Sequence, residues 1–314
     1  MAVADFRERL LECLGGPWPD PSPLNAKVLE TKVVESTQGD GYRLEKVEYD
    51  NEPDDRVAAL LLIPSSSSPA RPVPGICIWH QHNGEWHLGK SEPAGLAGNP
   101  MHHTGVALAR EGYAVLCIDA IGFEDRQRNY HLQAGNLERF LFLKYVVAGK
   151  CMAWKNILDM RRAVDYLSSR AEVRADRLGC YGHSMGSTHT WLVGPWEPRL
   201  KALAGNCCLP TYAGIHKHEL LHCFPNFVPG LNRYGDTPDI AAQIAPRALH
   251  LNFGDQDDGS PIEEVHRGVE TIQRAYQAQH AENSFTWFIQ ENTGHVLSPE
   301  MWEKTRTFFA RHLK

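Results

Sequence analysis

A Gly-x-Ser-x-Gly motif at residues 182–186 offers the first recognisable chemistry in this chain, because it sets a serine between two glycines. A serine attacks a carbonyl carbon only when its hydroxyl stands clear of the backbone and beside a base. A sharp turn from a strand into a helix achieves this, and flanking glycines avoid a clash at the turn. The motif lies between a short apolar run, 177–181, and a stretch without a helix breaker, 187–192. We therefore predict a nucleophile elbow with Ser184 at its tip.

Two later loops contain the other residue types that such a serine needs. A histidine must take the serine proton, and a carboxylate must hold that histidine in the right tautomer. Asp257 lies in a loop after the predicted strand 248–253, and His295 follows the predicted strand 285–290. Asp255 and Asp258 lie in the same loop, so the residues alone leave three candidate acids. The chain thus contains a serine, an acid and a histidine, each after a strand.

The composition limits what kind of protein this can be. With 314 residues, 42% of them hydrophobic, the chain can bury a large core within one domain. The net charge of −6 argues against nucleic acid or an anionic membrane as a partner. Neither a membrane-spanning run nor a secretory leader is recognised, and the eight cysteines match no metal or disulfide pattern. We expect a reduced, cytoplasmic protein with a small-molecule partner, and a homo-oligomer is left open.

Apolar strand-like runs alternate with helical patterns, which predicts an α/β fold with a mostly parallel central sheet and helices on both faces. Short turns, among them 51–54, make the first strands antiparallel. Residues 210–246 show weak periodicity and suit a lid or insertion within a single domain, 1–314. The predicted strands are 27–35, 42–49, 56–63, 75–79, 114–119, 177–181, 200–209, 248–253 and 285–290, and the predicted helices are 105–110, 154–168, 263–279, 299–312 and a short one within 1–14.

These motifs together resemble the α/β-hydrolases, in which the triad residues follow in the order serine, acid, histidine. Within that superfamily the chain is similar to the dienelactone hydrolase and acetyl xylan esterase group, which borders the prolyl oligopeptidase catalytic domain. The resemblance is carried by the motif at 182–186, by the Gly-Asp-Gln-Asp loop from 254 to Pro261, and by Gly294-His295. The run 80–82 leading to 89–96 resembles an acetyl xylan esterase-like subgroup.

The resemblance implies a role for each of these positions. Ser184 would be the nucleophile, His295 the general base and acid, and Asp257 the triad carboxylate. The oxyanion would be bound by the backbone N–H groups of Met185 and His82, with Gln81 as the alternative to His82. The implied activity is a serine carboxylic-ester hydrolase that forms an acyl-enzyme and needs no metal or organic cofactor. Short acyl groups on polar alcohols are favoured by the polar and aromatic residues expected near the site, namely Trp86, His87, His102 and Trp154.

Three other functions are open from the sequence. The first is a serine peptidase resembling prolyl oligopeptidase. The second is a zinc peptidase, because His218-Glu219-Leu220-Leu221-His222 matches H-E-x-x-H, with Glu263 as a conceivable third ligand, although Pro225 ends any helix one turn later. The third is a non-catalytic binding protein on a hydrolase scaffold.

Overall fold

A single twisted sheet organises the computed structural model, which describes residues 3–52 and 55–314. Within those residues the sheet has nine strands in the order β1-β2-β3-β5-β4-β6-β7-β8-β9. Strands β1 to β3 are antiparallel to their neighbours, and β5, β4 and β6 to β9 run parallel. The strands are β1 (Lys27–Val34), β2 (Tyr42–Glu52), β3 (Asp55–Pro64), β4 (Val73–Trp79), β5 (Ala114–Ile118), β6 (Val173–His183), β7 (Leu200–Asn206), β8 (Ala248–Gly254) and β9 (Phe285–Gln290).

Helices cover both faces of the sheet, as the alternating pattern predicts. The helices are α1 (Val3–Leu14), α2 (Thr104–Arg110), α3 (Ala134–Val147), α4 (Met152–Ser169), α5 (Met185–Val193), α6 (Tyr212–Lys217), α7 (Thr237–Ala242), α8 (Ile262–Ala278) and α9 (Pro299–Leu313). Apolar side chains of α1, α4, α5 and α8 form one buried cluster with the sheet. Those of α2 and α9 form a second cluster on the opposite face. The prediction of a mostly parallel sheet between two helical layers is confirmed.

Two element predictions differ from the structure in an informative way. The strand predicted at 200–209 ends at Asn206, because Cys207 and Cys208 adopt positive φ angles of 58° and 71°. Left-handed residues cannot continue a strand. Helix α3 has no counterpart among the predicted elements, because its sequence lacks a clear amphipathic period. The structure explains the missing pattern, since only Leu137 and Leu141 among its apolar residues are fully buried.

The segment 210–246 lies between β7 and β8 and contains α6, α7 and two short 3-10 turns. Several of its side chains, among them Tyr212, Ile215 and Ile240, belong to the larger hydrophobic cluster beneath the sheet. The segment is therefore packed as part of the fold along much of its length. Its role as a lid stays a prediction.

Other expectations concern the chain as a whole. All eight cysteines are free thiols. None of the helices in the described ranges combines the length and the apolar character needed to cross a membrane. Part of the turn expected at 51–54, and the start of the helix expected within 1–14, lie outside the described residues.

Candidate active site

Ser184 lies where β6 passes sharply into α5. Its backbone has φ 57° and ψ −119°, an uncommon conformation for a residue with a side chain, and its N–H donates to Asn206 O at 2.8 Å. The flanking glycines leave no room for side chains. A Cβ on Gly182 would lie 2.1 Å from the carbonyl carbon of Gly186, and one on Gly186 would lie 2.0 Å from Trp79 O. The close approach of three backbone segments thus requires both glycines and raises the serine above the sheet edge.

Two loops bring a histidine and a carboxylate to this serine. His295 Nε2 is 2.7 Å from Ser184 Oγ, and its Nδ1 is 2.7 Å from Asp257 Oδ2. Asp257 is buried and its other oxygen accepts the Gly259 N–H at 2.9 Å. The His295 side chain is 40% exposed, so the chain of hydrogen bonds starts at the surface and ends in the interior. This arrangement allows a proton to move from Ser184 to His295 while the imidazolium is stabilised by a buried carboxylate.

The two neighbouring acids have other surroundings. Asp255 Oδ1 accepts the backbone N–H of Thr293 at 3.1 Å, which ties the acid loop to the loop that carries His295. Asp258 is exposed. It does not cap helix α8, because the N-cap residue of that helix is Pro261 and no side chain makes a capping hydrogen bond there. Of the three acids, Asp257 is the one in contact with His295.

The ring of His183, the residue before the serine, packs against the imidazole of His295. The two ring centroids are 5.3 Å apart, and on its other side His183 stacks on His102 at 4.7 Å. Burial lowers the pKa of His183 well below its usual range, and the nearby His102 and His295 lower it further. Its Nδ1 accepts a hydrogen bond from Asn206 at 2.8 Å. His295 therefore packs against a neutral imidazole that Asn206 holds in place.

A histidine of segment 210–246 supports the acid loop, and sequence reasoning missed this contact. His222 Nε2 donates to Gly259 O at 3.0 Å, and its Nδ1 accepts from Asn226 Nδ2 at 2.8 Å. Burial lowers the pKa of His222, which keeps the neutral tautomer that both bonds require. Since the Gly259 N–H in turn bonds Asp257, His222 helps to fix the position of the carboxylate. The only signal in the sequence was the H-E-x-x-H match itself, which pointed to different chemistry.

That match does not form a helical zinc motif. Helix α6 ends at Lys217, and Glu219 has a positive φ of 53°, so His218 and His222 do not share a helix face. His218 Nε2 contacts Glu263 at 3.0 Å, whereas His222 contacts Gly259. In the described part of the chain neither histidine belongs to a group of three donors with metal-ligand spacing.

The loop after β4, expected to supply the second oxyanion donor, is anchored by a buried glutamate. His82 Nε2 lies 3.0 Å from both Glu138 oxygens, and Trp86 Nε1 donates to Glu138 at 2.9 Å. Glu138, on α3, is only 2% exposed, and nothing in the sequence marked it because α3 itself was not predicted. Trp86 and Phe123 then pack beside the Met185 side chain. The loop is thus held over the start of α5.

An oxyanion site needs backbone N–H groups that are not already hydrogen-bonded within the protein. Met185 is the first residue of α5, so its N–H has no acceptor within the helix. Across 3–52 and 55–314 no hydrogen-bond acceptor is found for the amide of Gln81 or of His82. Both candidates for the second donor therefore stay open, as they were from the sequence.

Trp154, which was expected near the site from the sequence, lies elsewhere. Trp154 is buried in the hydrophobic core, where it stacks on Trp18 with ring centroids 5.8 Å apart. A tryptophan near the start of an amphipathic helix fits a core position as well as a pocket rim, and in this structure Trp154 is a core residue. Its placement near the substrate was wrong.

We expect His80 to make the folded protein sensitive to acid. Its Nε2 accepts the Ala120 N–H at 3.0 Å, Nδ1 donates to Gln81 O, and burial lowers its pKa to about 4. An unfolded histidine titrates near ~6.5, so between these values the unfolded chain binds a proton that the folded protein does not. Lowering the pH from 7 to 4 should therefore favour unfolding, by about 3 kcal/mol from His80 alone.

Urea unfolding at pH 7, 5.5 and 4.5 measures this effect. The His80→Gln variant, whose amide does not titrate, should lose less stability on acidification than the wild type. The exposed His87 lies in the same loop, so His87→Gln should behave like the wild type. Identical pH dependence in His80→Gln and the wild type would contradict the assignment.

Comparison with known proteins places the chain in a family. The Abhydrolase family model matches residues 21–301. YtaP of Bacillus subtilis (strain 168), named as a hydrolase, is 28% identical over 298 residues, 93% of each chain. A Bacteroides fragilis NCTC 9343 structure named as an acetyl xylan esterase superposes with a TM-score of 0.71 at 19% identity, covering 91% of this chain and 74% of that one. A glucuronoyl esterase from Solibacter usitatus superposes at 0.66 and 17% identity, covering 97% and 91%. The chain therefore belongs to the Abhydrolase family, and it is a hydrolase of the α/β-hydrolase superfamily.

Proposed function

We propose that the protein is a serine carboxylic-ester hydrolase that forms an acyl-enzyme on Ser184. The observation that carries the proposal is the hydrogen-bonded chain from Ser184 through His295 to the buried Asp257, with 2.7 Å at each step. A serine hydroxyl at this distance from a carboxylate-oriented imidazole is an activated nucleophile. Membership of a hydrolase family adds independent support.

The reaction follows from this arrangement. Ser184 Oγ attacks the ester carbonyl carbon, and His295 Nε2 takes the hydroxyl proton as the new bond forms. The backbone N–H of Met185, with that of His82 or Gln81, binds the negative oxygen. His295 then gives its proton to the departing alcohol, which leaves an ester on Ser184. Water enters, passes a proton to His295 and releases the acid, and the proton returns to Ser184.

Short acyl groups fit the space beside the nucleophile best. The side chains of Met185, Phe123 and Ala120 form a buried apolar cluster there, with Trp86 and Cys223 packed against them, and this packing favours a short acyl chain over a long one. His295, which would protonate the departing alcohol, is 40% exposed, so a polar alcohol beside it can keep contact with water. Two structural relatives are named for acetyl xylan and glucuronoyl esters, which agrees with a short acyl group or a sugar-derived ester.

The acyl preference is measured with p-nitrophenyl esters from C2 to C12. We expect the highest kcat/KM for acetate or propionate and a steady decline beyond C4. An optimum at C10 or longer would contradict a small acyl site while leaving the serine mechanism intact.

The nucleophile is identified by labelling with a fluorophosphonate. We expect one covalent adduct, with fluoride released, on the peptide that contains Ser184, and loss of hydrolysis in proportion to labelling. The reaction should proceed unchanged in EDTA. Loss of activity in EDTA without labelling at Ser184 would favour a metal-dependent hydrolase.

A further inference from the structure

The thiol of Cys207 lies beside the proposed triad, although the hydrolysis reaction does not use it. Cys207 directly follows β7 at the same sheet edge as Ser184, with its Sγ 3.4 Å from Val296 O. Its side chain is fully buried. The donor atoms of Cys207, Asp257 and His295 all lie within 4.8 Å of one another. Sulfur, oxygen and nitrogen donors therefore lie close together beside the proposed triad.

This donor set matches the preference of zinc and of softer divalent ions. Zinc binds thiolate, imidazole and carboxylate in tetrahedral sites, with bonds of about 2.0–2.3 Å. Ligand atoms around one such ion lie within about 4 Å of each other, and the three donors here lie within 4.8 Å of one another. A thiolate in the set favours Zn²⁺ and Cd²⁺ over Mg²⁺ and Ca²⁺. From this geometry we propose that Cys207, Asp257 and His295 form an inhibitory binding site for Zn²⁺ and related soft cations.

A metal ion bound at this site would stop the proposed ester hydrolysis. The expected inhibition therefore rests on the proposed function. A neutral imidazole has one nitrogen lone pair, which the base needs in order to accept the Ser184 proton. An ion bound at Nε2 occupies that lone pair directly. An ion bound at Nδ1 forces the ring proton onto Nε2, which then cannot accept another. In both cases His295 is no longer a base, and the thiol proton of Cys207 is released to solvent as the metal–sulfur bond forms.

His295 is the exposed member of the donor set. Its side chain is 40% exposed, whereas Asp257 and Cys207 are buried. The next residue, Cys208, has different surroundings, because its Sγ lies 3.1 Å from Thr188 Oγ1 and it is not part of the donor group. Cys208 therefore provides a matched control: the same residue type, one position away, with the same left-handed backbone.

Inhibition of p-nitrophenyl acetate hydrolysis by ZnCl₂ tests the proposal. Wild type and Cys208→Ser should be inhibited equally and recover fully in EDTA. Cys207→Ser and Cys207→Ala should need at least about tenfold more Zn²⁺ for half-inhibition, since losing a ligand costs no less than losing an outer partner. Each variant is compared with its own activity without metal. Equal sensitivity in the wild type and both Cys207 variants would overturn the site.

A binding measurement separates this proposal from the function it rests on. Co²⁺ titration of the wild type should produce the near-ultraviolet thiolate-to-cobalt absorption band, which Cys207→Ser should lack and Cys208→Ser should keep. The Ser184→Ala variant should also show the band, because it retains all three donors. A cobalt–thiolate band in a protein without esterase activity would contradict the proposed function but support the metal site. A missing band in a protein with esterase activity would contradict the metal site alone.

Discussion

Ser184→Ala is expected to lower kcat for p-nitrophenyl acetate by roughly 10⁵–10⁶-fold. The alanine removes the atom proposed to attack the carbonyl carbon, and His295 Nε2 then has no partner at 2.7 Å. A small residual rate should remain, because the N–H groups proposed to bind the oxyanion are still present. Steady-state kinetics with enzyme freed of wild-type contamination, together with active-site titration, measure the loss.

Ser187 offers the matched control for this substitution. It lies one turn later in α5, is buried, and its hydroxyl has no hydrogen-bond partner among the described residues. Ser187→Ala therefore removes the same atom without breaking a hydrogen bond, and it should keep near-wild-type kinetics. If Ser184→Ala retained activity within about tenfold of wild type, the acyl-enzyme would be excluded.

Asp257→Asn is expected to reduce kcat by roughly 10⁴-fold with little change in overall structure. An amide at this position can present its NH₂ group to His295 Nδ1, which stabilises the tautomer with its proton on Nε2. That tautomer cannot take the serine proton. The imidazolium would also lose the negative charge that stabilises it, since Asp257 is its 2.7 Å partner. Single-turnover acetylation rates in variant and wild type measure the effect on the chemical step.

The Asp255→Asn variant tests whether Asp255 or Asp257 orients His295. Asp255 accepts one backbone hydrogen bond from Thr293 through Oδ1, and an asparagine oxygen can replace that interaction. We expect less than about a tenfold loss of kcat for this variant. The reverse pattern, with Asp255→Asn the more damaged enzyme, would mean that Asp255 orients His295 during turnover.

Much of the parallel sheet was predictable because its strands are continuous apolar runs. The runs 75–79 and 248–253 are buried along their whole length, and little else in a chain produces such a pattern. The elbow was predictable for a different reason. Gly182 and Gly186 approach other backbone segments too closely for any side chain, so the motif itself encodes the geometry.

The surroundings of the site could not be read in the same way. Glu138 lies far along the chain from His82 and Trp86, and only folding brings the three side chains together. Cys207 looked like the continuation of a strand, because a left-handed cysteine has no signature in the sequence. The contact of His222 with Gly259 depends on the path of 210–246, where no periodicity was present. Such contacts arise from tertiary packing and not from local residue preference.

Packing of segment 210–246 into the core limits how the specificity of this enzyme can be redesigned. Tyr212, Ile215 and Ile240 are core residues, and His222 holds the acid loop from the same segment. A chimera that exchanges this whole segment with a relative would also replace core side chains and the contact to Gly259, so changes in substrate range would come with damage to folding and turnover. Directed evolution has a more conservative starting point in the fully exposed Leu221, whose side chain belongs neither to the core nor to the contact that its neighbour His222 makes with Gly259.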